Sequence, residues 1–151
     1  MQALGAEIVY TSRRPAVDLE FRFLPLRELL AAAHVVSLHL PLNPETAGLI
    51  DAAALAAMKP HAILINTARG GLVDEPALFA ALSEGRLRGA GLDVFADEPV
   101  PPDNPLLRLP NLVVTPHLAW LTAETLARSL AVIGENCRRL RDGEPLVHRV
   151  I

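Results

Sequence analysis

The chain has 151 residues, 51% hydrophobic and 21% charged, which suits one globular domain with a core and excludes a disordered or low-complexity chain. A formal net charge of −3 gives no bulk attraction to nucleic acid or an anionic surface, and no apolar run reaches the ~18 residues of a membrane span. The first residues lack the basic start and apolar middle of a secretion signal, and the lone Cys137 cannot form an internal disulfide; a reducing, cytoplasmic location with no nucleic-acid or membrane partner is expected.

Met1 to Gly5 reads as the last turn of a helix with a glycine cap, running straight into Glu7–Thr11, a β-branched stretch expected to be a strand. Helical patterns follow at Leu26–Ala33, Asp51–Met58, Glu75–Glu84 and Ala123–Arg141, and strands are expected at His34–His39, Ala62–Asn66, Gly89–Val94 and Leu112–Thr115. Asp51, Asp74 and Thr122 precede helices and can accept from free N–H groups there, with Glu124 favoured by the dipole in the last helix's first turn. Lys59-Pro60 and Gly85 end two of the helices. Pro99 to Pro110 is a proline-rich surface loop. The last helix carries Leu126, Leu130, Ile133, Cys137 and Leu140 as one apolar stripe, with Cys137 as a packing residue.

Ile63-Leu64-Ile65 and Leu112-Val113-Val114 are apolar throughout, a pattern that suits strands of a parallel sheet buried on both faces. Strand–helix alternation with short connections predicts an α/β, Rossmann-like, doubly wound parallel sheet. Such a unit should open with strand, glycine-rich turn and helix; here that first βα unit is missing, so residues 1–151 are expected to be a partial dinucleotide-binding domain. Sheet and helices would occupy about 1–120, the long helix 121–142 and a tail 143–151.

Three strand ends carry candidate chemistry. Asn66-Thr67-Ala68-Arg69-Gly70-Gly71 puts a guanidinium fork suited to a carboxylate where α/β sheets bind ligands; alone, Arg69 reads equally as a surface arginine in a turn. Asp93, in the otherwise apolar run before Phe95, is costly to bury without a partner, while Glu98 alone is an ordinary loop carboxylate. Thr115-Pro116-His117 follows a third strand, and an imidazole there can move protons near neutral pH with Glu98 orienting it. His34, His61 and His148 read as structural or solvated, His39 as packing, and no spacing suggests a metal site.

Val35 to Thr46, Ile65 to Glu75, Gly91 to Pro99 and Thr115 to Ala119 together resemble the D-isomer-specific 2-hydroxyacid dehydrogenase family, in its order and spacing. The resemblance implies that Arg69 holds the substrate carboxylate and polarises its carbonyl, that His117 is the general acid–base and that Glu98 pairs with it. It implies that Asp93 binds the nicotinamide carboxamide, that Leu40 and Pro41 line the cofactor, and that Thr67 and Ala68 contact it near the nicotinamide, beside Arg69 and His117. At the position where NAD-preferring relatives offer an acidic residue to the ribose, this chain has Ser12-Arg13-Arg14, a hydroxyl and two guanidinium groups that would take a 2′-phosphate. The expected cofactor is therefore NADP, with NAD the alternative, and two solvated arginines are the plain reading of the same residues.

Trp120 stands where most of the family carries a small residue and turns the expected substrate toward glyoxylate or hydroxypyruvate, reduced to the D-2-hydroxy acid. The resemblance also implies a small 2-keto or 2-hydroxy acid as partner and a homodimer for the complete protein. The isolated chain is expected to be inactive, because the glycine turn that cradles the pyrophosphate is absent. The competing expectation is a non-catalytic nucleotide-sensing or protein-interaction module on the same fold.

Overall fold

The computed structural model describes residues 5–16 and 19–149. The expected helical turn at the start falls on residues 1–4, outside the described residues; Gly5 itself has φ +77°, the left-handed conformation of a cap. Six strands and four α-helices follow in chain order: β1 Val9–Tyr10, β2 Arg22–Phe23, α1 Leu26–Ala32, β3 Val35–Leu38, α2 Ala52–Ala57, β4 Ile63–Asn66, α3 Glu75–Ser83, β5 Gly89–Leu92, β6 Leu112–Val114 and α4 Ala123–Asp142. Every strand and helix expected from Glu7 onward is present, most of them trimmed by one or two residues at an end. The pattern missed β2 and two short 3-10 turns, Gly70–Leu72 and Pro105–Arg108. At two residues β2 is too short to show alternation; it is recruited by pairing with β1, where Tyr10 and Phe23 meet edge to face at 5.7 Å between centroids.

The chain forms two compact units, one ending at Pro116 and the other beginning at His117. In the first, β3, β4, β5 and β6 make a parallel sheet in that order, and β1 pairs with β2 in a separate parallel pair. This is a Rossmann-like α/β arrangement, as the alternation predicts. The helices start where the sequence puts their caps: the Asp51 carboxylate accepts from the Ala54 amide at 2.7 Å and that of Asp74 from Ala77 at 2.9 Å. Gly85, at φ +68°, lets the chain reverse after α3 in a left-handed conformation that residues bearing a Cβ rarely adopt.

The core lies between the sheet and its helices, with Leu30, Ile50, Leu55, Leu64, Leu72 and Leu78 fully buried. One expectation fails here. β6, apolar throughout, is not buried on both faces: Leu112 is half-buried, Val113 is 70% exposed and Val114 41%. It is the edge strand of the four, so only one neighbour flanks it.

The second unit runs from His117 through α4 to the residues after it. Thr122 caps the helix by accepting from the Thr125 amide at 3.1 Å, and Gly143 closes it in the left-handed conformation. None of its residues is buried, and Leu130 (59%), Ile133 (58%) and Leu140 (73%) stand exposed; Cys137 is exposed too, contrary to its expected packing role. The stripe has the right period, yet among the described residues none of its side chains is buried. Polar contacts hold the unit instead. Asn136 bonds both the N–H and C=O of Val147 (2.9 and 3.1 Å), and Arg138 bridges Glu135, Asp142 and Glu144. Hydrogen bonds from Arg138 and then Arg139 hold the Glu135 carboxyl down at about 2.

Candidate functional site

The sheet's register creates the site's floor. Leu38 pairs with Asn66, Asn66 with Leu92 and Leu92 with Val114, so His39, Thr67, Asp93 and Thr115 form a row along the carboxyl edge. Open parallel sheets bind their ligands beyond this edge.

Asn66 organises the turn that carries Arg69. Its side chain is 1% exposed; the amide donates to the Arg69 carbonyl at 2.9 Å while its oxygen accepts from the Ala68 amide at 3.1 Å. The Asn66 carbonyl also accepts from the Asp93 amide at 2.9 Å, locking two strand ends together. Asn66 was not among the expected site residues, although a buried amide closing an apolar strand is the signal that could have found it. The next position is tight as well: a Cβ on Gly70 would lie 1.9 Å from the Phe95 carbonyl carbon, so only glycine lets the Arg69 turn press against the loop carrying Glu98. Arg69 itself is exposed, donates to the Ala68 carbonyl at 2.6 Å, and among the described residues pairs with no carboxylate.

Asp93 is 4% exposed and accepts from the Thr115 hydroxyl, which answers why a carboxylate can end an apolar strand. Glu98 turns back on its own loop, accepting from the Phe95 amide at 2.9 Å, and the Glu98–Pro99 peptide is cis. Glu75, read from sequence only as a helix start, braces the same loop: its carboxylate accepts from the Ala96 amide at 2.7 Å and the Asn104 amide at 3.3 Å. No sequence pattern pairs residues 21 and 29 apart.

The loop with Leu40 and Pro41 joins this edge. Gly48 N–H donates to the Gly71 carbonyl and Ile50 N–H to that of Leu72, both at 2.9 Å, and the Leu42 side chain sits over Gly71. Leu40 is half-buried and Pro41 exposed, with the Pro41 carbonyl accepting from the Thr46 hydroxyl at 2.7 Å. Thr67 is exposed and Ala68 half-buried.

Beyond β1, Ser12 donates its hydroxyl to the Arg14 carbonyl, and Arg13 forms an ion pair with Glu45. Both ends of that pair are exposed. The Tyr10 hydroxyl accepts from the Ala16 amide at 2.9 Å and shapes the return of this loop.

The first unit thus brings together Arg69, Thr67, Ala68, Asp93, Glu98, Leu40 and Pro41 on bonded neighbouring loops, and Ser12, Arg13 and Arg14 at the end of β1. His117 opens the second unit. It is half-buried at φ +55°, a conformation that costs a non-glycine residue of order 1–3 kcal/mol and clusters at functional positions. His61 and His148 share a positive φ, so the conformation alone does not single out His117. His39 meets the Ser37 hydroxyl at 2.8 Å, and His34 meets the Lys59 ammonium at 3.2 Å. Among the described residues no group of His, Cys, Asp and Glu is placed to hold a metal ion, and no helix is long and apolar enough to cross a membrane. A cavity of about 310 Å³ lies beside the start of α3, lined by Glu75, Pro76, Phe79 and residues 104–106, and none of the expected site residues lines it.

Residues 1–119 match the model of the D-isomer specific 2-hydroxyacid dehydrogenase NAD-binding domain. The chain belongs to this 2-hydroxyacid dehydrogenase family. Among its relatives, the D-3-phosphoglycerate dehydrogenase of Mycobacterium tuberculosis is 50% identical over 146 residues, 94% of this chain and 28% of that protein. The glyoxylate reductase of Korarchaeum cryptofilum is 47% identical over 147 residues, 95% of this chain and 44% of that protein. The crystal structure of the TT0316 protein of Thermus thermophilus superposes with a TM-score of 0.94 at 48% identity, covering 99% of this chain and 48% of that one. The chain therefore spans less than half the length of these 2-hydroxyacid dehydrogenase relatives. Its part is the NAD-binding domain, with the carboxyl-edge loops described above inside the matched segment.

Proposed function

We propose that this domain serves the NAD(P)H-dependent reduction of a small 2-keto acid, glyoxylate or hydroxypyruvate, to the D-2-hydroxy acid. The observation that carries the reading is Arg69: an exposed guanidinium on the sheet's carboxyl edge, in a turn clamped by Asn66 and Gly70, with no carboxylate partner among the described residues. Its planar fork suits a substrate carboxylate, and its charge would polarise the adjacent carbonyl. The donor set fits a nicotinamide dinucleotide. Asp93 is a buried acceptor suited to the carboxamide N–H, and Arg13 and Arg14 are cations at the end of β1, suited to a ribose 2′-phosphate. Leu40, Pro41, Thr67 and Ala68 would line the path between them. Ser12 is the hydroxyl beside that phosphate, and preference for NADP over NAD rests on it and the two arginines.

A reduced nicotinamide held by these residues would supply the hydride. His117 would donate the proton that the carbonyl oxygen needs as it becomes an alkoxide, and the family resemblance assigns Glu98 as the carboxylate that pairs with it. The carbonyl thus gains hydride at carbon and a proton at oxygen, and Arg69 holds the carboxylate of substrate and product alike. Names among the relatives support both D-3-phosphoglycerate and glyoxylate chemistry, and Trp120, 54% exposed three residues past His117, favours the smaller acids.

A chimera tests this: residues 5–149 spliced in place of the matching segment of the Korarchaeum cryptofilum glyoxylate reductase. It should oxidise NADPH with glyoxylate, and Arg69→Ala should raise KM for the keto acid by at least about tenfold, one charge-assisted pair being worth 1.4 kcal/mol or more. An unchanged KM would remove Arg69 from the substrate carboxylate.

A further inference from the structure

We infer that Glu45 is a cofactor-specificity residue: a carboxylate of the protein itself that occupies Arg13 and must be displaced before a 2′-phosphate can bind there. The inference rests on the proposed dinucleotide reading and adds to it the group that opposes phosphate binding.

Arg13 lies three residues past the end of β1, on the carboxyl side, and Glu45 in the loop after β3. The ion pair between them therefore ties together two loops that belong to different sheets. A guanidinium presents its donors in one plane, and a carboxylate and a phosphate are alternative ligands for the same fork. While Glu45 is bound, the site offers a 2′-phosphate a neutralised arginine and an adjacent negative charge.

Glu45 is held in position by its backbone. The Asn43 side-chain oxygen accepts from the Glu45 amide at 2.9 Å and the Thr46 amide at 3.1 Å, and the Thr46 hydroxyl donates to the Pro41 carbonyl at 2.7 Å. The loop is thus a pre-formed turn presenting Glu45 toward Arg13, with only the side-chain torsions to move when an anion competes. The pair is exposed on both sides (73% and 71%), so it is solvated and weak enough for a phosphate to break. Ser12 has its hydroxyl proton on the Arg14 carbonyl, which leaves the guanidinium groups as the charged donors at this end.

The consequence is quantitative. Glu45 lowers affinity for a 2′-phosphorylated nucleotide and leaves affinity for its unphosphorylated counterpart alone, so it compresses the NADP preference that Arg13 and Arg14 create.

The test uses the glyoxylate reductase chimera and two probes, adenosine 2′,5′-bisphosphate and 5′-AMP, titrated by calorimetry at constant ionic strength. The wild type should prefer the bisphosphate, and Arg13→Ala should weaken that preference. Glu45→Gln should tighten bisphosphate binding about two- to fivefold, the size expected for releasing one exposed ion pair, with 5′-AMP unchanged. In the Arg13→Ala background, Glu45→Gln should have no effect on either probe, which isolates the coupling between the two residues. If the wild type prefers the bisphosphate through Arg13 but Glu45→Gln leaves its affinity unchanged or weakens it, the inference falls and the cofactor reading stands. If neither nucleotide binds, or the wild type does not distinguish them, the cofactor reading falls and takes the inference with it.

Discussion

α3 and α4 are both capped and both end near a glycine, but α3 is apolar nearly all round and only α4 carries an apolar stripe, and different forces hold them. α3 has nine residues and buries Leu78, Ala81 and Leu82 in the core. α4 has twenty and buries none; its order comes from the Thr122 cap, the left-handed Gly143 and the arginine pairs around Glu135. A hydrophobic period therefore says which face a helix would bury, and burial itself depends on whether something lies opposite.

The contrast can be broken with a pair of truncations. Leu78→Ala removes a fully buried side chain and should cost about 2–5 kcal/mol, whereas Leu130→Ala, 59% exposed, should stay within about 0.5 kcal/mol. Urea midpoints of the two variants measure this, and a costly Leu130→Ala would mean the α4 stripe is packed in solution.

Gly70→Ala probes the other tightly packed point of the first unit. Its Cβ would fall within 2.0 Å of the Phe95 carbonyl oxygen, so backbone must shift. A loss of about 1–3 kcal/mol is expected, with amide shifts in NMR spectra running from Arg69 through Phe95 to Glu98. Caps sharpen the comparison further. Asp74→Ala should cost about 1 kcal/mol of global stability. Thr122→Ala should instead fray the first turn of α4, read as faster amide exchange at Thr125, with the core's urea midpoint unmoved.

The smallest effect is acid-dependent. Glu135 titrates at about 2 in the folded unit, below its ordinary 4.5, so its bonds to Arg138 and Arg139 contribute above 4.5 and are lost as pH falls toward 2. The Val147 amide, held by Asn136, should begin to shift only below pH 4.5 and reach the midpoint of its change near 2, while amides of β4 stay fixed until global acid unfolding.

Much of this was readable in advance because each signal was local. Caps at Asp51, Asp74 and Thr122 need one side chain and the next turn; strands such as Ile63–Asn66 show themselves by apolar runs. Arg69, Asp93, Glu98 and His117 were singled out by lying at strand ends. What stayed hidden was non-local. Asn66 works by bonding a turn and a neighbouring strand, Glu75 by reaching two loops, and Glu45 by meeting Arg13 32 residues away. The exposure of β6 and α4 was equally invisible, since sequence period carries no information about the opposite surface.

The central proposal, that Arg69 is the carboxylate ligand and His117 the proton donor of a keto-acid reductase, is tested most directly at His117. In the glyoxylate reductase chimera, His117→Ala should lower kcat/KM for glyoxylate by at least about 100-fold, the lower range for a general acid, while NADPH affinity stays unchanged. Turnover by His117→Ala equal to that of the parent chimera would contradict the account.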